Sequence, residues 1–324
     1  MKAKEYVEEY ANTILLFYQN RQLDEIDKII KTIFISLSEE VEDICEMRRN
    51  GNGNMLNKKE KTMIKFENVV TPSPEQWKAV IFGMRNPYNS WDKSDSGFGC
   101  DYSDQHFCTI CEGGHTEACP NSFKQYKLGP NDLDLMNRLR NSGTDHRKFM
   151  RMLPVMVTIT APFYWWKEFS TYKVGTVANS CSTMHKIHAK EFTLEDFSTD
   201  HLFGDEDMLK WDERTDIAKD HALAAVNVKG DWCYFSPKGY IQMTCNMLNR
   251  FRQLYLETKD KKYWWQMIQL LPSSYNQKRT VMLNYEVLAN IYKSRKDHKL
   301  DEWRELCKWI ESLPYSEIIT GKER

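Results

Sequence analysis

The chain has no long hydrophobic run. No stretch of about 18 consecutive apolar residues occurs, which excludes a transmembrane helix. The opening residues, MKAKEYVEEYANT, are charged and lack the apolar segment of a signal peptide, so a cytoplasmic location is the expectation. Net charge is almost absent as well: 45 Lys and Arg against 46 Asp and Glu leave −1. No global field draws nucleic acid or a membrane, and no clear nucleic-acid patch stands out. No internal repeat is found. What the 324 residues do have is aromatic side chains, 13% of the total, with ten Trp and sixteen Tyr. That is enough to build a large core or to stack flat ligands.

Nine cysteines in a cytoplasmic chain argue against a disulfide framework. Cys45, Cys181, Cys233, Cys245 and Cys307 are scattered and are expected as buried small apolar residues. Cys100, Cys108, Cys111 and Cys119 are different. They form C-x7-C-x2-C-x7-C in a Gly-rich loop with His106 and His115 among them. Four thiolates can close a tetrahedral structural zinc site.

The organisation reads from hydrophobic period. Val7, Ala11, Ile14 and Tyr18, then Ile26 to Ile44, mark two amphipathic helices over residues 3–48. The run NGNGN and the charged residues after it close them off, which sets residues 1–62 apart as a helical hairpin and linker. A mixed α/β, helix-rich domain is expected over 63–324, with the Cys-rich loop at 99–120. IKFENVV reads as a strand. Ser73, Pro74 and Gln76 spell a capped helix start. Asn131 is expected to cap a helix that stops at Gly143. Val155, Val157 and Ile159 alternate with polar or exposed-type residues as in a strand. Pro162 opens a helix through Trp165, Trp166 and Phe169. Residues 205–226 and 239–257 look helical, 280–283 reads as a short strand, and helices follow at about 285–295 and 301–313. Trp165-Trp166 and Trp264-Trp265 read as core pairs before they read as stacking platforms.

Several residues recur in a known order. His146 precedes the VMVTI strand, and a Ser-containing segment follows with Lys173, Ser182 and Thr183. Leu271-Pro272 then leads to Asn284, Asn290 and Arg295. In spacing and order this resembles the flavin-dependent thymidylate synthases across roughly 65–310. The chain also departs from that pattern. Thr171-Tyr172-Lys173 stands where the family has Arg-His-Arg, and Ser182-Thr183-Met184-His185 lacks the Arg of the family's segment. Glu286 stands in place of an Arg, and Ile268 or Gln269 in place of the phosphate-binding Arg ahead of Leu271.

The resemblance implies a thymidylate synthase-like domain that binds FAD. It would methylate a deoxyuridine nucleotide at C5, dUMP to dTMP, with folate as carbon donor and NADPH as reductant. His146, Tyr172, Lys173, Asn284 and Asn290 would contact the cofactor. Lys173, Ser182, Thr183 and Arg295 would contact the pyrimidine nucleotide, with Arg295 stabilising charge on the ring as a catalytic group. A homo-oligomer, a tetramer in the family, is implied too. Other readings stand beside these. Arg295 also suits a helix C-terminus, where a cation complements the dipole. His146 also suits a structural role near a strand. The Ser/Thr segment also suits a plain polar loop. Cys181 is a conceivable nucleophile, but no base adjoins it in sequence. Two further functions remain open: a non-catalytic nucleotide-binding protein that lost the flavin clamp, and a zinc-stabilised interaction module.

Overall fold

A computed structural model describes residues 64–99, 125–204, 224–228 and 231–321. The expected hairpin over 1–62 and Cys100, Cys108, Cys111 and Cys119 lie outside the described residues. The fold is mixed α/β, rich in helix, with antiparallel sheets. The described residues fall into two compact units, one of 64–183 with 272–321 and one within 184–271.

The larger unit is built on a four-stranded sheet in the order β1-β4-β8-β5: β1 Lys65–Val70, β4 Pro154–Pro162, β8 Asn276–Asn284 and β5 Val177–Ser180. All three pairings are antiparallel. Strand alternation sends Val155, Val157, Ile159, Val281 and Leu283 to one face, where they are fully or almost fully buried. Helices cover that face. They are α1 Pro74–Arg85, α2 Pro130–Asn141, α3 Phe163–Phe169, α6 Tyr285–Arg295, α7 Asp301–Glu311 and the short α8 Ser316–Thr320, and their apolar sides join one core. Trp165 and Trp166 sit in it as expected, at 0% and 1% exposure. The other face carries a register row of exposed apolar residues, Val70, Met156, Met282 and Val177. Beside that row the Thr158 and Thr280 hydroxyls are hydrogen-bonded at 2.9 Å.

The start of α1 is as the sequence reads: Ser73 accepts from the Gln76 amide while Gln76 answers the Ser73 amide at 2.8 Å. The start of α2 is not. Gly129 holds the cap position and Asn131 lies in the first turn. The reason is a distant carboxylate. Asp95 accepts from the Asn131 and Asp132 amides at 2.9 and 3.1 Å and so serves the free amides that a local cap would serve. Asp132 then turns inward. It is fully buried, accepts from Arg85 Nε at 2.6 Å, and receives the Ser94 and Ser96 hydroxyls at 2.8 and 2.6 Å. Two short strands, β2 Gly97–Gly99 and β3 Gln125–Lys127, pair within what the sequence reads as a long loop.

The second unit holds α4 Pro237–Thr258, α5 Lys261–Leu270 and the hairpin of β6 Ala224–Val228 with β7 Asp231–Phe235. Of the helix expected over 205–226, residues 205–223 lie outside the described residues and 224–226 are strand and not helix. Val226, Val228, Trp232, Tyr234 and Phe235 are β-branched or aromatic residues in two short runs, which a search for a helical period overlooks. Asn249 on α4 fixes the 184–204 segment by bracketing the Phe192 backbone with two hydrogen bonds of 2.8 Å. Trp264 and Trp265 are not a core pair. Tyr263 and Met267, four apart, take the buried stripe of α5. Trp265 is left 43% exposed, Trp264 donates to the Met184 carbonyl at 2.9 Å, and the Lys261 ammonium lies 5.8 and 5.7 Å from the two rings. Among the described residues no helix is long and apolar enough to cross a membrane.

Candidate functional site

Helix α6 organises the predicted site residues, and it does so on two different faces. Asn284 ends β8 and caps the helix, its Oδ1 accepting from the Val287 amide at 3.0 Å. Its carboxamide nitrogen lies against Gly175, where a Cβ would meet it at 2.9 Å. Gly175 has φ +80°, a conformation that favours glycine, and that turn sets the backbone after Lys173 against the head of α6.

Arg295 is the last residue of α6. Its Nε donates to the Tyr172 hydroxyl at 3.0 Å and its Nη1 to Glu168 at 2.7 Å, with His298 Nε2 at 2.9 Å from the same Nη1. The guanidinium lies 4.6 Å from the Trp303 ring, and the Trp303 indole N–H also donates to Glu168 at 2.9 Å. Thus two residues that the sequence singled out, Tyr172 and Arg295, are brought together by two that it did not, Glu168 and Trp303. Lys173 is exposed next to them, with no ion-pair partner among the described residues.

The opposite side of α6 faces a cavity of 370 Å³, and here lies a group that the sequence pattern did not single out. Ala289, Asn290, Tyr292 and Lys293 line it from α6 and Lys296 from the cap position that follows, Arg140 and Asn141 from the end of α2, Gly143 and Arg147 from the connection between α2 and β4, and Thr320 from α8. At about 100° per residue, Lys293 and Arg295 point roughly 160° apart. Asn290 therefore belongs to the cavity and Arg295 does not. His146 is exposed, between Gly143 and Arg147, but its side chain is not in the lining. The spacing 289, 292, 293, 296 is a helical stripe carrying two lysines, and that was the available signal.

Four cations converge on this cavity, and their anchoring differs. Arg140 donates to the Ile318 and Ile319 carbonyls at 2.7 and 3.0 Å and to Asn141 at 2.9 Å. Burial, and then the charge of Arg147, holds its guanidinium below the usual arginine value. Arg147 donates to Glu286 at 3.0 Å, and Arg151 shares the same carboxylate. Glu286, where the resemblance has an Arg, is thus the anion that holds two arginines in place. Lys293 and Lys296 have no ion-pair partner among the described residues. One carboxylate cannot neutralise this set, so the cavity favours an anion.

The third predicted group, Ser182 and Thr183, follows β5. Ser182 is exposed and Thr183 half-buried. Cys181 is exposed rather than buried, because β5 is the sheet edge and all four of its residues face solvent. Cys245 and Cys307 are buried as expected. Among the described residues no group of three or more His, Cys, Asp or Glu could hold a metal ion.

No family model matches the chain. No curated protein matches it either. Solved structures similar to it include the flavin-dependent thymidylate synthase ThyX of Helicobacter pylori complexed with FAD and dUMP. That structure has 15% identity over 81% of this chain and 100% of the other, with a TM-score of 0.46. The UMP/dUMP methylase PolB of Streptomyces cacaoi bound with 5-Br UMP has 13% identity over 60% of this chain and 83% of the other, at 0.37. The same enzyme bound with 5-Br dUMP has 11% identity over 80% and 94%, at 0.41. Likeness at this level leaves the site to be read from the chain's own residues.

Proposed function

We propose that this chain is a nucleotide-binding protein of the flavin-dependent thymidylate synthase type. The cavity of Arg140, Arg147, Lys293 and Lys296 would take the pyrophosphate of a dinucleotide cofactor. The observation that carries this reading is the uncompensated positive charge of a cavity that also presents Asn290.

FAD is the cofactor that the resemblance implies, and the donor set fits its phosphates. Fixed guanidinium forks and mobile ammonium groups are what a pyrophosphate recruits. When bound, flavin supplies the hydride for methylation of a deoxyuridine nucleotide at C5, with folate as the carbon source. The chain's own residues would then act by holding and orienting. Lys293 and Lys296 neutralise phosphate charge. The Arg140 fork is fixed beforehand by two backbone carbonyls, so little reorganisation accompanies binding. Tyr172 and Lys173 lie on a turn that Gly175 and Asn284 shape. Arg295 enters as a positioning residue, tying α6 to α3 through Glu168 and orienting Tyr172. The loss of the Arg-His-Arg triplet supports the alternative in which the cofactor or nucleotide is bound without turnover.

Two measurements test the reading. The absorbance spectrum of purified protein should show flavin bands, or calorimetric titration should show FAD binding. Lys293→Ala with Lys296→Ala should then weaken FAD by roughly ten- to a hundredfold, the range for losing a charge-assisted contact. Wild-type protein that takes up neither flavin nor a pyrimidine nucleotide at millimolar concentration would overturn it. Binding of both without dTMP formation, with folate and NADPH supplied, selects the non-catalytic alternative.

A further inference from the structure

Arg279 is a half-buried cation without a counterion among the described residues, and the elements around it leave one side open. It lies on β8 between Gln277 and Val281 on the core-facing side of the sheet. Its guanidinium carbon is 4.4 Å from the Trp166 ring, and its Nε donates to Gln277 Oε1 at 2.8 Å. Gln277 is itself held. Its carbonyl accepts from the Trp166 indole at 2.9 Å, and its amide nitrogen donates to the Cys181 carbonyl at 2.8 Å. The plane of the fork is therefore set by an aromatic face and a fixed carboxamide, both neutral. Neither Nη group has a partner among the described residues, and neither is among the buried unpaired atoms, so both reach solvent.

The open side is the sheet edge. Ser180 is the register partner of Arg279 on β5, and cross-strand partners share a face. Two residues later the same alternation brings Ser182, since the Cys181 amide still donates to the Lys278 carbonyl at 2.9 Å. An oriented guanidinium whose Nη groups are unpartnered thus adjoins Ser180 on a strand whose four residues are all exposed, and Ser182 just after it. Burial holds the Arg279 guanidinium below its usual value. A partly desolvated cation gains most from an anion with two acceptor oxygens.

We propose that Arg279, with Ser180 and Ser182 beside it, reads the phosphate monoester of the nucleotide substrate at the β5 edge, apart from the cofactor cavity. The assignment rests on the nucleotide-binding reading for the identity of the ligand, but not for the site's affinity for an anion. Arg279 is then a specificity residue: it separates a nucleoside monophosphate from the free nucleoside.

The test uses the full chain. Wild type, Arg279→Gln and Arg279→Lys are titrated by calorimetry with dUMP, deoxyuridine and inorganic phosphate, and each is melted to show that it is folded. Arg279→Gln should weaken dUMP roughly ten- to a hundredfold and remove one of two phosphate sites, the cofactor cavity keeping the other, with deoxyuridine unchanged. Arg279→Lys keeps the charge and the stem but loses the fork. It should fall between the two, and it carries the test should Arg279→Gln fail to fold. Equal dUMP affinity in wild type and variants overturns the inference and leaves the nucleotide reading intact. Should wild type bind neither dUMP nor deoxyuridine, the nucleotide reading fails. Phosphate binding that Arg279→Gln removes then still upholds the site, and its absence overturns the inference as well.

Discussion

Arg295 and Glu168 stand 2.7 Å apart across 127 residues of chain, and the same Glu168 oxygen accepts the Trp303 indole at 2.9 Å. The helix that ends in Arg295 is thereby locked to the short helix that precedes Tyr172. A cation in the last turn of a helix is commonly explained by the dipole alone. Here a carboxylate, a phenol and two aromatic rings fix it, and that makes it a strut.

The first prediction concerns that strut. Arg295→Ala should lower stability by about 1–2 kcal/mol, between an exposed and a buried pair. Glu168→Gln should lower it by less, because the neutral amide still accepts a hydrogen bond. Cofactor affinity should stay within about threefold of wild type in both. Denaturant titration and FAD calorimetry check this. A tenfold or greater loss of nucleotide affinity in Arg295→Ala, with stability unchanged, would instead assign Arg295 direct contact with the pyrimidine.

Asp132 should control acid stability. Its carboxylate is buried, which raises its pKa, but the Ser96, Ser94 and Arg85 hydrogen bonds outweigh burial and leave the value depressed. A depressed carboxylate contributes stability that is complete above its unfolded value, about 3.9, and is lost as pH falls through the lower folded value. Asp132→Asn leaves the Arg85 charge buried and unpaired. It should be destabilised by about 3–5 kcal/mol at neutral pH and lose this part of the acid dependence. Urea unfolding at stepwise lower pH measures both.

Gly175→Ala should be destabilised by about 1–2 kcal/mol through backbone strain at φ +80°. The added methyl also meets the Asn284 amide nitrogen at 2.9 Å and a Val287 methyl at 3.0 Å. Gly143→Ala is the control. Its φ is +103°, yet nothing lies within 4 Å of the added carbon, so only the strain remains. Thermal melting of the two variants separates strain from contact.

The thiols should divide by burial. Cys245 and Cys307 have their values pushed up to about 11 by burial, so little thiolate exists at neutral pH. Cys181 is exposed. Alkylation of native protein followed by peptide mass analysis should label Cys181 and leave Cys245 and Cys307 unmodified until denaturant is added. Labelling of either buried thiol at the rate of Cys181 would contradict the packing.

Much of the fold was legible in the sequence because near neighbours encode it. Ser73, Pro74 and Gln76 specify the start of α1 from within four residues. The alternation of Val155, Val157 and Ile159 specifies β4, and the extent of α6 reads from the helical pattern at about 285–295. The cap of α2 was not legible, because Asp95 reaches it through folding and not through adjacency. That Trp264-Trp265 is no core pair was missed because packing, and not adjacency, gave the buried stripe of α5 to Tyr263 and Met267.

The candidate site divides the same way. Sequence order placed Asn284, Asn290 and Arg295 on one helix and Tyr172 and Lys173 on one turn. Which face of that helix meets which partner was a tertiary matter. The register of β8 between β4 and β5 sets Arg279 beside Ser180, and the packing of α2 against α6 and α8 gathers Arg140 and Arg147 with Lys293 and Lys296. Charge on a helix face shows in a sequence as a solvated stripe. Only when distant segments bring Arg140 and Arg147 beside Lys293 and Lys296 do the charges gather at one cavity and favour an anion.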